Sequence, residues 1–330
     1  MNRRLTALLA VLALGLGALT ACGDSDAATS DGPVDLTEVT LRVGDQKGAS
    51  IQSLLKAAGE LDGTKYKLGW SLFTSGPPIL EAVNAGAVDF GAVGNTPPIF
   101  AAAARARIVI VGASEVALVG QAIVVPKSST LRSPAELRGK KIAVAKGSSA
   151  NYHLLAVLKK HGIAYKDVQV QYLQPADALA AFTGGRVDAW ASWEPYTSQA
   201  EIQTGARVLV DGKGYTNGYG FQITSRSALK DKSKVAALED FLGRYRRALL
   251  WANAHHEEWA RQWAKDTGLP YEVAERAHRR RTARIIRIDD AVIAEEQRLS
   301  DSFTEVELLP GKVRIDEFFD RRFNDTVPNS

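Results

Sequence analysis

The sequence predicts an α/β protein made of two similar lobes. From Val39 onward, short β-branched and apolar runs alternate with amphipathic helical patterns, which is typical of an α/β fold. One short motif occurs twice, as GAVD at 86–89 and as GRVD at 185–188. Each copy follows a predicted amphipathic helix and leads into a predicted buried strand. We therefore interpret the two copies as equivalent units, one in each lobe.

Length and composition restrict the class of protein. The 330 residues are enough for about two domains, and 45% hydrophobic with 24% charged residues is ordinary for a globular protein. The formal net charge is +4, and loss of Arg3 and Arg4 with a leader would lower it by two. A nucleic-acid-binding domain concentrates basic residues into a strong patch, so we expect no nucleic-acid partner.

The first residues have the features of an export signal. A positive segment, Met1–Arg4, precedes an apolar run, Leu5–Leu19, that is too short to span a bilayer comfortably. The letters LTAC follow at 19–22 and resemble the lipobox of bacterial lipoproteins. We predict that residues 1–21 are a lipoprotein signal peptide, that Cys22 becomes the lipidated N-terminus, and that residues 22–37 form a flexible tether.

This interpretation places the protein on the extracytoplasmic face of the cell membrane, in a periplasm or at the cell surface, with membrane contact through its lipid alone. Cys22 is the only cysteine, so no disulfide forms within one chain. The alternative is a stray thiol at the end of an ordinary signal peptide.

The predicted elements follow the same order in each lobe. In the first, a strand over 39–44 precedes a helix marked by Ile51, Leu54 and Leu55. In the second, a strand over 141–145 precedes a helix that ends in a cation-rich turn and a glycine at 159–162. Ligands of open α/β sheets bind beyond the carboxyl ends of the strands. The loops at 46–50, 73–77, 94–97, 147–149 and 193–195 occupy that place, so we expect a cleft between the lobes.

The junction Gly147-Ser148-Ser149 leaves two interpretations open. Serine is a good N-cap, so both hydroxyls can serve the helix alone. A helix N-terminus also has free N–H groups and a positive dipole end, which together favour an anion.

These motifs together resemble the aliphatic sulfonate-binding proteins of ABC importers, within a group that includes taurine-, nitrate- and thiamine-precursor-binding proteins. The resemblance covers about Val39 to Ile315 and rests on residues 46–48, 70–101 (WSLFTSGPPILEAVNAGAVDFGAVGNTPPIFA), 146–158 and 172–196 (YLQPADALAAFTGGRVDAWASWEPY).

The resemblance implies a two-lobed periplasmic-binding-protein fold of type II with the ligand in the interlobe cleft. It places lobe 1 at 38–122 and 223–330 and lobe 2 at 123–222, with crossings near Gln121–Val125 and Tyr219–Thr224. It also implies hinge closure on a small sulfonate, docking on the permease and ATPase subunits of an importer, and a monomer.

A sulfonate is a permanent monoanion with three acceptor oxygens, so it needs donors and a positive field. The candidate ligand-binding residues are Gln46, Ser75, Gly76, Asn95, Thr96, Ser148, Ser149, Trp193 and Glu194. Trp193 would wall the cleft against an alkyl group, and Trp190 is expected in the core. Glu194 would bind an amine on a taurine-like ligand or orient its own loop. The Asn95-Thr96 pair could also be a helix cap only.

None of the five loops contains arginine, which argues against a phosphate dianion, since phosphate usually draws bidentate arginine. Six arginines do lie within 276–287. They are expected to form a solvated helix and loop, to contact anionic lipid or the importer, or to send one arginine into the cleft.

We predict a binding protein and not an enzyme. The sequence contains no G-x-S-x-G, no credible triad and no Cys/His/carboxylate cluster with metal spacing, so we expect no cofactor and no metal. The alternatives within the fold are binders of taurine, nitrate or a thiamine-pyrimidine precursor. An enzyme resembling the eukaryotic thiamine-pyrimidine synthases would need active-site cysteines, whereas Cys22 lies at the lipidation site. A ligand-sensing domain of a membrane kinase would need an output domain or a second membrane span, and we expect neither from this sequence.

Overall fold

The computed structural model describes residues 34–327 and contains two β-sheets with helices packed on their faces. The predicted signal peptide, Cys22 and most of the predicted tether lie outside the described residues. Within residues 34–327, no helix is both long enough and apolar enough to cross a membrane.

The strands of the first sheet are β1 (Thr40–Gln46), β2 (Lys67–Phe73), β3 (Phe90–Gly94), β4 (Ile108–Val116), β10 (Tyr219–Ser225) and β11 (Ala283–Ile286). The strands of the second sheet are β5 (Ala122–Val125), β6 (Lys141–Val144), β7 (Gln169–Tyr172), β8 (Ala189–Ser192) and β9 (Arg207–Asp211). The helices are α1 (Ile51–Ala57), α2 (Gly76–Asn84), α3 (Thr96–Ala103), α4 (Ser149–Lys160), α5 (Pro175–Thr183), α6 (Tyr196–Thr204), α7 (Lys232–Ala254), α8 (His256–Thr267), α9 (Tyr271–Arg280) and α10 (Asp290–Glu305).

The two sheets repeat one arrangement of strands. The first has the order β2-β1-β3-β10-β4-β11, and the second has the order β7-β6-β8-β5-β9. In each, three parallel strands are followed by an antiparallel strand, β10 or β5. The α/β class and the two similar lobes predicted from the repeated motif are therefore confirmed.

The aspartate of each repeated motif makes the same hydrogen bonds in its lobe. The Arg42 amide donates to the Asp89 carboxylate at 3.0 Å, and the Lys141 amide donates to the Asp188 carboxylate at 2.8 Å. In return, the amide of each aspartate donates to the carbonyl of the same strand residue, at 2.7 and 2.8 Å. Each aspartate thus fixes the start of β3 or β8 beside the middle one of the three parallel strands, β1 or β6.

The glycine of each motif ends the preceding helix. Gly86 has φ 73° and Gly185 has φ 65°, a left-handed conformation that costs glycine little because it lacks a Cβ. The chain can therefore turn from helix to strand within a few residues in both lobes.

The chain passes between the sheets twice. It leaves the first sheet after Val116 and enters the second at Ala122, and it returns between Asp211 and Tyr219. Residues 219–222, which the sequence-based boundary assigned to lobe 2, belong to β10 because they pair with β3 and β4 of the first sheet. We propose that residues 117–121 and 212–218 are the connections between the lobes.

Each sheet has a hydrophobic cluster on both faces, as the alternating strand residues require. In β5, Ile123 and Val125 pack into one cluster and Ala122 and Val124 into the other. Trp190 is 2% exposed, so its predicted place in the core is confirmed.

A further cluster lies where the lobes meet. It joins α3 of the first lobe, α4 of the second and the C-terminal helix α10, through Ile99, Leu155 and Phe303. Helix α10 therefore packs against both lobes at once.

Helix α10 also buries a carboxyl group that has no partner. Glu296 is 0% exposed, and neither of its carboxylate oxygens has a hydrogen-bond partner among residues 34–327. The Ser300 hydroxyl, one turn further on, is buried in the same condition. Burial without a partner raises the pKa of Glu296 well above its usual value, since the charged form is the one that loses hydration.

This carboxyl predicts a pH-dependent stability difference for Glu296→Gln. The raised pKa in the folded state means that the wild-type contribution is fully present below the ordinary carboxyl pKa of 4.5 and is lost as the pH rises toward the folded-state pKa. Each pH unit in that window removes about 1.4 kcal/mol from the wild type, while the neutral glutamine loses nothing. The measurement is the unfolding free energy of both proteins from pH 5 to pH 8.

The matched control is Glu295→Gln, because Glu295 lies at the helix surface beside Arg298. A difference between wild type and Glu296→Gln that stays constant across the pH range would contradict the buried neutral carboxyl.

Candidate ligand-binding site

A cavity of about 90 Å³ lies between the lobes and has room for several water molecules or one small organic anion. Six of the residues predicted from sequence line it: Gln46, Gly76, Asn95, Ser148, Ser149 and Trp193. The first three come from the first lobe and the other three from the second. The structure thus brings together residues that are up to 147 positions apart.

Three helix N-termini border this cavity. Gly76 is the first residue of α2, Asn95 is the N-cap of α3 and Ser148 is the N-cap of α4. The first turn of a helix has N–H groups without helical acceptors and the positive end of the helix dipole. Three such ends around one cavity favour an anion there.

The two serines at the start of α4 have different roles. The Ser148 hydroxyl donates to the Ala145 carbonyl at 2.7 Å and accepts from the Asn151 amide at 3.3 Å. Its proton is therefore committed to the loop, and its side chain is a cap. We find no hydrogen-bond partner for the Ser149 hydroxyl within residues 34–327, so this hydroxyl is available to a ligand.

The two amide side chains are each held by one protein partner. Gln46 Nε2 donates to the Ala92 carbonyl at 3.0 Å, and Asn95 Nδ2 donates to Asn217 Oδ1 at 2.8 Å. Since an amide NH₂ has two donors, each retains one for a ligand. Thr96 does not line the cavity, because its fully buried hydroxyl donates to Asn95 Oδ1 at 3.0 Å.

Ser75 does not line the cavity either. Its hydroxyl donates to Gln174 Oε1 at 2.9 Å, and the neighbouring Thr74 hydroxyl donates to the same oxygen at 3.0 Å. Gln174 is the N-cap of α5 in the second lobe. Ser75 therefore joins the two lobes and does not face the cavity.

Glu194 faces away from the cavity as well. Its carboxylate, 0% exposed, accepts from the Ser198 amide at 3.0 Å and from the Ser198 hydroxyl at 2.9 Å. Burial raises the pKa of Glu194 to about 7, against the opposing effect of Ser198 and of the nearby Arg280 guanidinium. Of the two expected roles, the structure shows the one in which Glu194 orients its own loop.

The positive charge of the cavity comes from one residue of the arginine tract at 276–287. Arg281, directly after α9, lines the cavity and donates from Nη1 to the Gly48 carbonyl at 2.8 Å. Other arginines of the same tract, including Arg280 and Arg284, have carboxylate partners. Arg281 has none within salt-bridge distance among the described residues, and arginine stays charged in proteins.

Of the alternatives left open for the arginine tract, the structure shows an arginine that reaches the cleft. The five loops contain none, but α9 folds back over the loop after β1 and brings Arg281 to it. The dense arginine tract at 276–287 was the available signal, and it did not indicate which arginine faces inward.

Tyr245 of α7 is a residue that the sequence argument missed. It lines the cavity, and burial raises its pKa to about 12. The phenol is thus neutral at physiological pH and can donate a hydrogen bond to an anion. Its position inside a long amphipathic helix resembles that of an ordinary core residue.

Trp193 forms an apolar wall between the lobes. It lines the cavity, and a Cβ added at Gly48 of the first lobe would lie 3.3 Å from Trp193 Nε1. Its ring meets that of Tyr196 edge to face at 5.6 Å. This indole can pack against the apolar part of a ligand.

The described side chains that line the cavity include a single charged group. Among the described residues that line it, Arg281 is the only charged one. One full positive charge and three helix N-termini match one negative charge. Within residues 34–327, no group of three His, Cys, Asp or Glu side chains is placed to hold a metal ion.

Fold and site together define a two-lobed solute-binding protein whose interlobe cavity is suited to a small anion. A family model described as NMT1/THI5 like matches residues 75–259. The chain is 38% identical to an aliphatic sulfonates-binding protein of Escherichia coli (strain K12) over 279 residues, which is 83% of this chain and 86% of the relative. It is 32% identical to one of Bacillus subtilis (strain 168) over 334 residues, or 98% and 96% of the two chains.

A solved structure supports the same placement. The alkanesulfonate-binding protein of Xanthomonas axonopodis pv. citri bound to MOPS matches with a TM-score of 0.80 and 36% identity, over 86% of this chain and 99% of that one. This chain belongs to the NMT1/THI5-like family, in the group that contains the aliphatic sulfonate-binding proteins, and the expected two-lobed periplasmic-binding-protein fold is confirmed.

The contact between the lobes predicts the effect of Gly94→Ala. A methyl group at Gly94, the last residue of β3, would overlap the Ser149 hydroxyl of the second lobe. We expect this variant to hold the lobes apart, which small-angle X-ray scattering would detect as a larger radius of gyration.

Adding Ser149→Ala should partly reverse the change, since the nearest remaining atom is then Ser149 Cβ at 3.1 Å. Gly69→Ala is the matched control, because the nearest atom to its added Cβ is an Arg42 side-chain carbon at 3.6 Å. An unchanged radius for Gly94→Ala would contradict a closed contact between Gly94 and Ser149.

Proposed function

We propose that this chain is an extracytoplasmic solute-binding lipoprotein that captures aliphatic sulfonates and delivers them to an ABC importer for sulfur acquisition. The observation that carries the proposal is the lone charge of Arg281 in a cavity bordered by three helix N-termini. The names of the relatives in Escherichia coli and Bacillus subtilis support the same ligand class.

The chemistry of a sulfonate fits this cavity better than that of related anions. A sulfonate has one negative charge and three acceptor oxygens, and the cavity offers one guanidinium together with the hydroxyls of Ser149 and Tyr245. A phosphate or sulfate dianion would leave one negative charge without a full counter-charge. The apolar wall at Trp193 would contact the alkyl group.

The same cavity favours an alkanesulfonate over taurine. The charged amine of taurine would favour a carboxylate, and Glu194 is turned toward Ser198 and Arg280. The cavity offers that amine only neutral acceptors, such as Gln222 Oε1, which has no hydrogen-bond partner among the described residues. A pyrimidine precursor would want carboxylates as well as stacking surfaces, and no carboxylate is among the described residues that line the cavity. Nitrate, a planar monoanion without an alkyl group, is the alternative that the charge alone does not separate.

The remaining parts of the proposal concern the setting of the protein. Residues 1–21 would be removed, Cys22 would bear the lipid, and residues 22–37 would tether the lobes to the membrane. The partners would be the permease and ATPase subunits of an importer, which the monomeric protein would meet in its closed form. The family relatives are named as binding proteins, and we propose that this chain likewise catalyses no reaction and needs no cofactor.

Thermal unfolding of the purified protein against a ligand panel tests the ligand class. The panel contains ethane-, butane- and octanesulfonate, taurine, nitrate, sulfate and aminopyrimidine. At 100 times its dissociation constant, a ligand stabilises the folded state by about 2.7 kcal/mol, which raises the unfolding midpoint by several degrees. We expect shifts with alkanesulfonates and none with sulfate. A shift with nitrate or the pyrimidine and none with any sulfonate would retain the fold and reject the ligand.

Arg281→Gln tests the residue that carries the proposal. A hydrogen bond to a charged group contributes about 1.5–3 kcal/mol, so butanesulfonate affinity should fall by roughly 10- to 100-fold in calorimetric titration. Arg284→Gln is the matched control, since Arg284 lies in the same tract but pairs with Glu115 at the surface. Equal affinities for wild type and Arg281→Gln would contradict the assignment.

Cys22→Ser tests the lipid anchor. Without the thiol no lipid can be attached, so the variant should no longer incorporate radiolabelled palmitate in its own host, whereas the wild type should. Equal incorporation of palmitate by the variant and the wild type would contradict lipidation at Cys22.

A further inference from the structure

Two neighbouring arginines at the end of α9 face different parts of the molecule. Arg281 lines the cavity, as described above. Arg280, the last residue of α9, turns toward the second lobe, where its Nη1 pairs with Glu201 Oε2 of α6. Its Nη2 donates to the other carboxylate oxygen of Glu201 at 3.4 Å, and its Nη1 lies 3.7 Å from Glu194 Oε1.

This ion pair connects lobe 1 to lobe 2 in a partly buried place. The side chains of Arg280 and Glu201 are 28% and 16% exposed, and that of Glu194 is 0% exposed. Charges that are partly removed from water attract one another more strongly than exposed charges do. A rotation of one lobe relative to the other would change the distances from Arg280 to both carboxylates.

The backbone at Arg280 is held against the connection between the lobes. A Cβ added at Gly120 would lie 2.9 Å from the Arg280 carbonyl oxygen and 2.7 Å from Glu194 Cγ. Gly120 belongs to the 117–121 connection, so this connection, the loop of Glu194 and the end of α9 meet at one point. The next residue along the chain is Arg281, whose guanidinium is anchored on Gly48.

We propose that Arg280 is a positioning residue for ligand binding: its ion pair with Glu201 and Glu194 forms on lobe closure and holds Arg281 toward the bound anion. Arg280 itself does not line the cavity. The ligand draws the lobes together, and the closed arrangement presents the cationic group that the ligand needs. The inference rests on the proposed function, because it assigns a closure contact to the same anion site.

Such a contact couples two places that do not touch, and coupling of this kind is typically worth a 5- to 150-fold change in affinity. Arg280→Gln should therefore weaken butanesulfonate binding by about tenfold or more, mainly through faster dissociation, since closure retains the ligand. Arg280→Lys, which keeps the charge but lacks the forked geometry, should recover part of the loss.

The experiment compares calorimetric affinity, stopped-flow dissociation and the unfolding midpoint for purified wild type, Arg280→Gln, Arg280→Lys, Glu201→Gln and the double variant Arg280→Gln/Glu201→Gln. We expect the losses of binding free energy in the two single Gln variants to sum to more than the loss in the double variant, because each single variant removes the same ion pair. If Arg280→Gln does not fold, Glu201→Gln removes the contact from the other side and decides the question.

The structure offers a matched control. Lys159 of α4 and Glu305 of α10 form a second ion pair that reaches across the lobes, with side chains 54% and 61% exposed. Because this pair is solvated, Lys159→Gln should change butanesulfonate affinity less than twofold. An equal loss from Lys159→Gln and Arg280→Gln would overturn the specific role of Arg280.

A purely structural role gives a different result. In that case Arg280→Gln lowers the unfolding midpoint without ligand, leaves the dissociation rate unchanged, and overturns the proposal. Wild-type protein that binds no sulfonate at all rejects the proposed function instead. Wild-type binding with unchanged affinity and dissociation rate in Arg280→Gln and Glu201→Gln overturns this inference alone.

Discussion

The site depends on the positive charge of one arginine, which lies at the interface between the two lobes and has no carboxylate partner among the described residues. Burial of a charge is unfavourable unless it is paired, and within residues 34–327 the side chain of Arg281 makes one hydrogen bond, to the Gly48 carbonyl. The positive ends of α2, α3 and α4 face the same space. The guanidinium and the helix N-termini are all positive, so they would repel one another if the cavity held only apolar groups. Together they form a site whose electrostatic balance is completed by one anion.

The site is complete only when the lobes are together. Gln46, Asn95 and Arg281 belong to the first lobe, while Ser149 and Trp193 belong to the second. Contacts outside the cavity hold this arrangement: Ser75 and Thr74 with Gln174, the apolar cluster around α10, and Arg280 with Glu201. Free energy gained at the anion and free energy gained at these contacts therefore stabilise the same arrangement of the lobes.

Ligand selection in this cavity depends on which charges are absent as much as on which are present. Glu194 carries a carboxylate within the second lobe, but Ser198 and Arg280 hold it behind the cavity wall. The cavity consequently has a net charge of +1 from its side chains, and its remaining donors are neutral. A monoanion with an apolar tail meets these conditions, whereas the ammonium group of a zwitterion would meet no carboxylate among the described lining residues and only neutral acceptors such as Gln222 Oε1.

The sequence by itself determined the α/β class, the internal repeat, and the loops at 73–77, 94–97 and 147–149 that border the cavity. These are local properties: strand and helix periods, proline and serine at helix starts, and glycine and aspartate at fixed positions in the repeat. The directions of the side chains within those loops did not follow from these local properties. Ser75, Thr96 and Glu194 were all expected in the site, and each instead bonds a protein partner.

Only the tertiary structure decided those orientations, because the partners come from elsewhere in the chain. Gln174 reaches Ser75 from the other lobe, and Arg280 approaches Glu194 from a helix more than eighty residues further on. Arg281 joins Gly48 across 233 positions. A loop position specifies where a side chain begins, whereas the direction it takes depends on which distant acceptor or charge lies next to it after folding. The charge of the site therefore follows from the folded structure and not from the loop sequences.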